Sequence, residues 1–288
     1  PLLAAAGLAW LVAVTMPDDS LHVSFLDVGQ GDAILIRKAS QQVLVDGGPS
    51  PQAIALELGR RLPFWDRSLE LVVLTHPHAD HITGLIEVLE RYRVKAVLHP
   101  ALDYHSPLYD QWLSLVQEKG IQGIIAQAGQ RISLDGGEVI IEVLNPPTPP
   151  LAQTHSDVDN NGIVLRVVAG RLSFLLTADI TREAELELIG RRANLASTVL
   201  KVAHHGSDGS TSAGFLAVVN PSLAIISVGA DNNFGLPSPE VMDRLAQRVA
   251  RENIYRTDEH GTVEFITDGQ RLWVRTDRID AQKADALQ

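Results

Sequence analysis

The chain has 288 residues, 45% of them hydrophobic, enough to enclose a substantial core in one large domain or two small ones. A net charge of −11 excludes a broad basic face that grips nucleic acid by counterion release, so any such contact must be local or depend on bound cations. The absence of cysteine excludes disulfides, thiolate metal sites and cysteine nucleophiles together, leaving histidine and carboxylate as the metal-binding side chains.

The chain begins with PLLAAAGLAWLVAVTM, residues 1–16, an uncharged apolar run shorter than the ~20 residues of a full membrane span. No basic stretch precedes it as a signal peptide requires, so it reads as the stump of a transmembrane helix that tethers the rest of the chain to a membrane face. Residues 17–276 then read as one folded domain. HVSFLDV, DAILIRK and QQVLVDGG have the composition of strands, the last ending in a glycine turn. PQAIALELGRRL reads as a helix with Ile54, Leu58 and Leu62 on its apolar face. LELVVLTH reads as a buried strand, and Ile82, Leu85, Ile86 and Leu89 after it recur at helical spacing. NPPTPP, Asn145 to Pro150, is a stiff surface excursion.

The second half repeats this grammar. EVIIEVLN, GIVLRVVAG and RLSFLLTAD read as strands, TREAELELIGRR as a helix, and STVLKVAHH and LAIISVG as further strands. Two β-rich halves with interspersed helices predict two sheets packed face to face and covered by helices. The last residues, 277–288, are polar and unpatterned, which predicts a disordered tail.

LTHPHADHITG, Leu74 to Gly84, concentrates ligand-type side chains at a strand's carboxyl end, where the chain turns into a helix. Residues at i and i+2 of an extended segment point the same way, so His76 and His78 can grip one ion. Asp80 and His81, past the bend, are free to address a second. Zinc and manganese suit such imidazole and carboxylate sites. Asp179 in FLLTADI ends an apolar strand before a helix, from where it can bridge two ions or cap the helix. In VLKVAHHGS, adjacent side chains diverge, so one of His204 and His205 should bind metal while the other faces substrate. DVDNNG, Asp157 to Gly162, imitates a calcium loop, but Val168 stands where that loop requires a bidentate glutamate.

THPHADH matches the T-H-x-H-x-D-H motif of the metallo-β-lactamase superfamily, which the chain resembles from about Leu21 to Asp268. The resemblance implies an α+β fold, an αββα sandwich of two packed mixed sheets flanked by helices, with the metal site at one rim. FLDVGQGDAILI, VDGG, DNNGIVLRV, FLLTADI, LKVAHHGS, ISVGADNNFGLPSPE and YRTDEHGTVEF, in that order, further resemble the carboxy-terminal domain of the ComEC family of DNA-uptake channel proteins.

That narrower resemblance implies a metal-dependent nuclease on the extracytoplasmic face of the cell membrane, using two divalent ions, manganese or zinc. It would degrade the strand not taken up during competence. Its partners would be DNA, single-stranded or the non-transported strand, the membrane channel portion of the same full-length chain, and other competence proteins. It gives His76 and His78 to one metal, Asp80 and His81 to the other, and Asp179 to both as a bridge. His204 is assigned to metal and His205 to substrate phosphate, with the reverse left open. Asp46 would orient the ligands from behind. Asp80 or His205 would shuttle the proton, Lys201 would face the phosphate or solvent, and Ser207 and Asn161 would contact substrate.

Two positions depart from the family pattern. The third histidine usual at the first metal has no match, the nearest candidates being Asn160, Asn161 and His155. Leu236 in FGLP replaces an imidazole found in related sequences. The missing histidine supports a rival reading, a DNA-binding or gating module that has lost catalysis. A third reading is a hydrolase of another anionic ester.

Overall fold

The computed structural model describes residues 18–63 and 65–278. The apolar run at 1–16 and the tail beyond Arg278 lie outside the described residues. Asp277 and Arg278, assigned to the tail by composition, still pack on the domain: the Asp277 N–H donates to Thr262 and its carboxylate pairs with Arg61, while Arg278 pairs with Asp27.

Among the described residues, fifteen strands form two sheets. β1 (Leu21–Phe25), β2 (Ile34–Lys38), β3 (Gln41–Val45), β4 (Ser68–Val73), β5 (Arg93–His99) and β6 (Gln122–Ile125) belong to the first. β7 (Arg131–Leu134), β8 (Val139–Asn145), β9 (Val164–Ala169), β10 (Leu172–Leu176), β11 (Val199–Lys201), β12 (Leu223–Ile226) and β13 (Ile254–Arg256) make the second. The carboxy-terminal hairpin β14 (Val263–Thr267) and β15 (Leu272–Thr276) returns to the first sheet, where β14 pairs antiparallel with β1. The first sheet therefore runs β15-β14-β1-β2-β3-β4-β5-β6 and the second β13-β12-β11-β10-β9-β8-β7. Both are mixed: β3 to β6 are parallel, as are β10 to β13, and the remaining pairs are antiparallel.

Alternating side chains give each strand two apolar faces. Val23, Phe25, Ile34 and Ile36 of the first sheet meet Ile141, Val167, Phe174 and Leu176 of the second in a central core. There Phe265 lies edge-on to both Phe25 and Phe174, at 5.7 and 6.0 Å between centroids. The outer faces are covered by α1 (Pro51–Arg61), α2 (Ala79–Arg91) and α3 (Pro107–Glu118) on one side. α4 (Asp157–Asn160) is a single turn before β9, and α5 (Arg182–Gly190), α6 (Ala213–Val219) and α7 (Pro239–Ala246) cover the other side. The layers are thus αββα. Three helices start at Ser-Pro, where Ser50, Ser106 and Ser238 each accept a first-turn N–H and proline occupies the first helical position. Among the described residues no helix is long and apolar enough to cross a membrane.

Close backbone approach sets α2 against the loops beside it. A side chain at Gly84 would lie 1.9 Å from the Gly47 carbonyl oxygen, and one at Gly31 would lie 2.1 Å from the Asp80 carbonyl. Two loops of the first sheet therefore press on the first turns of α2.

Candidate metal centre

The segments after β4, β10 and β11 leave the carboxyl ends of parallel strands at one rim, and α4 enters the same rim just before antiparallel β9. Four non-glycine residues at this rim adopt left-handed backbone: Asp46, Ala178, His204 and His205, with φ of 57°, 48°, 50° and 53°. Each such residue costs about 1–2 kcal/mol, a strain retained where surrounding structure fixes a functional geometry.

His76, His78 and Asp159 form one cluster. His76 Nε2 and His78 Nδ1 lie 3.6 and 3.1 Å from Asp159 Oδ1. His76 is fully buried, whereas the His78 side chain is 37% exposed. Asp159 thus completes a three-residue group with the two histidines, and it was not among the candidates for the missing third ligand. Those candidates are engaged elsewhere. Asn160 accepts from Thr181 and donates to Glu183, Asn161 is bonded to the backbone of Leu151 and Asp157, and His155 is exposed. The Asn161 amide is thus engaged by its own loop, and its side chain is buried.

Asp80, His81, Asp179 and His205 form the second cluster. Asp179 Oδ2 sits 3.3 Å from His81 Nε2 and 3.2 Å from His205 Nε2, and Asp80 Oδ2 lies 3.8 and 3.3 Å from the same nitrogens. The neighbours in HHG do diverge, but it is His205 that turns inward. His204 is 35% exposed, its Nε2 3.9 Å from Asp179. The rings of His76 and His81 are 4.1 Å apart between centroids, so the two clusters adjoin.

Hydrogen bonds fix which nitrogen each buried imidazole presents. Asp46 Oδ2 accepts from Thr75 Oγ1 at 2.6 Å and from His81 Nδ1 at 2.8 Å. Thr75 Oγ1, its proton spent on Asp46, accepts from His76 Nδ1 at 3.0 Å, and the Ser227 carbonyl accepts from His205 Nδ1 at 2.9 Å. The Nε2 atoms of His76, His81 and His205 are left buried without a hydrogen-bond partner, as are Asp159 Oδ1 and Asp179 Oδ1. Oriented imidazoles that present Nε2 toward carboxylates fit a divalent ion, which would take the place of the proton.

The electrostatics agree. Burial opposes charge on His205, yet Asp179 and Asp80 outweigh it and push its pKa up to about 10. His81 is raised in the same way by Asp179 and Asp46 against its burial. Asp179 is held well below the ordinary carboxylate range, because His205 and His81 overcome its burial. His76 moves the other way, lowered by burial and by the neighbouring His81. The second cluster therefore demands positive charge, which protons satisfy in the protein alone and which a metal ion would satisfy instead.

Other expected site residues lie elsewhere. Lys201 is fully buried, its ammonium paired with Asp32 and 3.6 Å from Asp179 Oδ1, so it is shut off from solvent. Ser207 is half-buried at the end of the HHG turn, its N–H bonded to His204 O. Leu236 packs against the outer core of the second sheet. Sequence reasoning missed Asp159 and Asp32. Asp159 stands within DVDNN, and the alternation of that string with Asp157 drew attention to a calcium loop instead. Asp157 in fact closes its own turn by accepting from Gln153 and Thr154.

The model of the metallo-beta-lactamase superfamily matches residues 26–230. ComE operon protein 3 of Bacillus subtilis is 29% identical over 261 residues, covering 85% of this chain and 33% of that protein. Recombination protein 2 of Haemophilus influenzae is 32% identical over 266 residues, covering 91% and 30%. The chain thus spans about a third of the length of the curated relatives it matches. Among solved structures, the metallo-beta-lactamase fold protein YhfI from Bacillus subtilis superposes with a TM-score of 0.57 at 14% identity, covering 90% of this chain and all of that one. At that identity the likeness speaks to the fold.

Proposed function

Because the chain belongs to the metallo-beta-lactamase superfamily and sets the cluster of His76, His78 and Asp159 beside that of Asp80, His81, Asp179 and His205, we propose that it is a two-metal phosphodiesterase acting on DNA during competence. The observation that carries this reading is the set of buried, unpartnered Nε2 atoms of His76, His81 and His205, each with its other nitrogen committed. The relatives' names, which include a ComE operon protein and a recombination protein, support DNA uptake as the setting. On this reading the domain works on the extracytoplasmic face of the membrane, attached to the channel portion of a longer chain.

His76, His78 and Asp159 would hold one manganese or zinc ion, and Asp80, His81 and His205 the other, with Asp179 between them. Such ions supply positive charge to the phosphodiester oxygens and make water acidic enough to attack near neutral pH. Asp80, whose side chain is 35% exposed, would take a proton from the attacking water. His204, exposed to the same extent, would meet substrate phosphate, and Ser207 comes after it in the same turn. The start of α2, with no side chain capping it, adds its dipole on the same side.

The test is cleavage of single- and double-stranded DNA by the protein with manganese, zinc or chelator. Metal-dependent cutting abolished in Asp80→Ala and Asp179→Asn is expected. Intact DNA at every metal condition, with folded protein, contradicts the reading. The rival gating module drew its support from the missing histidine, and a carboxylate, Asp159, beside His76 and His78 weakens that support. Cleavage of other phosphoesters or lactones in preference to DNA would favour the remaining rival.

A further inference from the structure

Lys201 and Asp32 have no role in the reaction described above, yet both are almost completely buried beneath it. Lys201 ends β11 in the second sheet, and Asp32 stands just before β2 in the first. The Lys201 ammonium pairs with Asp32 Oδ2, donates to the Ala178 carbonyl at 3.0 Å, and lies 3.6 Å from Asp179 Oδ1. Asp32 is fixed in turn by its backbone: its N–H donates to Asp80 O at 3.3 Å and its carbonyl accepts from Gly48 at 2.8 Å. Its carboxylate also lies 3.7 Å from His205 Nδ1 and 4.0 Å from His81 Nδ1.

Each cluster draws side chains from both sheets. His76, His78, Asp80 and His81 come after β4 of the first, whereas Asp159, Asp179 and His205 border β9, β10 and β11 of the second. Metal–ligand distances are reproduced to about 0.2 Å, so the spacing between the sheets at this rim must be held closely. Apolar packing alone is not directional, while an ion pair with backbone anchors at both ends is.

We propose that the Lys201–Asp32 pair is a positioning device for the metal centre, bracing the two sheets behind the ligands and setting a positive charge 3.6 Å from Asp179 Oδ1. The inference rests on reading the two clusters as a metal centre, and it is independent of which ester is cleaved. Asp32→Asn/Lys201→Met removes both charges together and leaves no unpaired buried ion.

The test compares its zinc and manganese affinities with wild type by competition against a chromophoric chelator, alongside circular dichroism and melting temperature with and without metal. The double variant is expected to fold, to bind both ions about 10-fold or more weakly, and to show a smaller metal-induced rise in melting temperature. Affinities indistinguishable from wild type, with melting lowered equally in metal and chelator, would reduce the pair to core filling and overturn the proposal. If the double variant does not fold, Asp32→Asn carries the same comparison, since it keeps the shape and one acceptor while removing the charge. A wild-type protein that binds no ions would instead defeat the reading of the clusters themselves.

Discussion

The two clusters differ in how they are backed. In the second, Asp179, His81 and His205 are almost wholly buried, and Asp46, Ser227 and the Lys201–Asp32 pair stand behind them. In the first, His76 is backed through Thr75, but His78 is 37% exposed, and Asp159 sits on a single helical turn. Side chains already held in one geometry lose less entropy on binding an ion, and carboxylates left short of positive charge gain more from it. The second cluster should therefore bind more tightly and the first should exchange more easily.

The largest effect is expected from Asp179→Asn, which leaves His81 and His205 facing each other without their shared carboxylate. It should weaken the second cluster's ion by roughly 100-fold or more and abolish DNA cleavage, as elemental analysis and an activity assay would show. Retention of the tight ion would break the comparison. Asp46→Ala comes next, because Asp46 orients ligands of both clusters, His81 directly and His76 through Thr75. An affinity loss of about 10- to 100-fold is expected at both clusters. A loss confined to the first cluster would mean that the second keeps its geometry without this support.

The smallest effect is expected at a polar group away from both clusters. His22 pairs with Glu264 and Asp18 on the first sheet. Burial opposes charge on His22, but these carboxylates raise its pKa above 6.5. Its contribution is therefore complete below pH 6.5 and is lost as pH rises through the raised value. Glu264, where His22 and Arg37 outweigh burial, is lowered to about 2 from 4.5. Its contribution is present above pH 4.5 and lost as pH falls toward 2. His22→Ala should cost about 1 kcal/mol or less in chemical denaturation and flatten the decline above pH 6.5, with both metal affinities unchanged. A change in either affinity would show that the clusters feel the whole sheet and not only their local support.

Much of this was legible in the sequence for a local reason. HPHADH places its ligands by strand and helix periodicity alone, and the apolar strand before Asp179 announces its position. Of the helix face Ile82, Leu85, Ile86 and Leu89, three residues are buried as the spacing predicts and Ile86 is half-buried. Other features depend on tertiary structure. Asp159 joins His76 and His78 only when α4 is carried to the rim beside β4, and Lys201 resembles a solvated lysine until Asp32 arrives from the other sheet. The return of β14 to pair with β1 is likewise a contact across the chain's full length that no local pattern encodes. Neither β5 with β6 nor α3, whose Trp112 is fully buried, was read from the sequence.

The most direct test of the unequal pair is a metal titration of the metal-free protein, wild type against Asp159→Ala, monitored by calorimetry with manganese or zinc. The account predicts two binding steps in the wild type, the tighter belonging to the Asp179 cluster, and loss of only the weaker step in Asp159→Ala. A single step in the wild type, or loss of the tighter step in the variant, would contradict it.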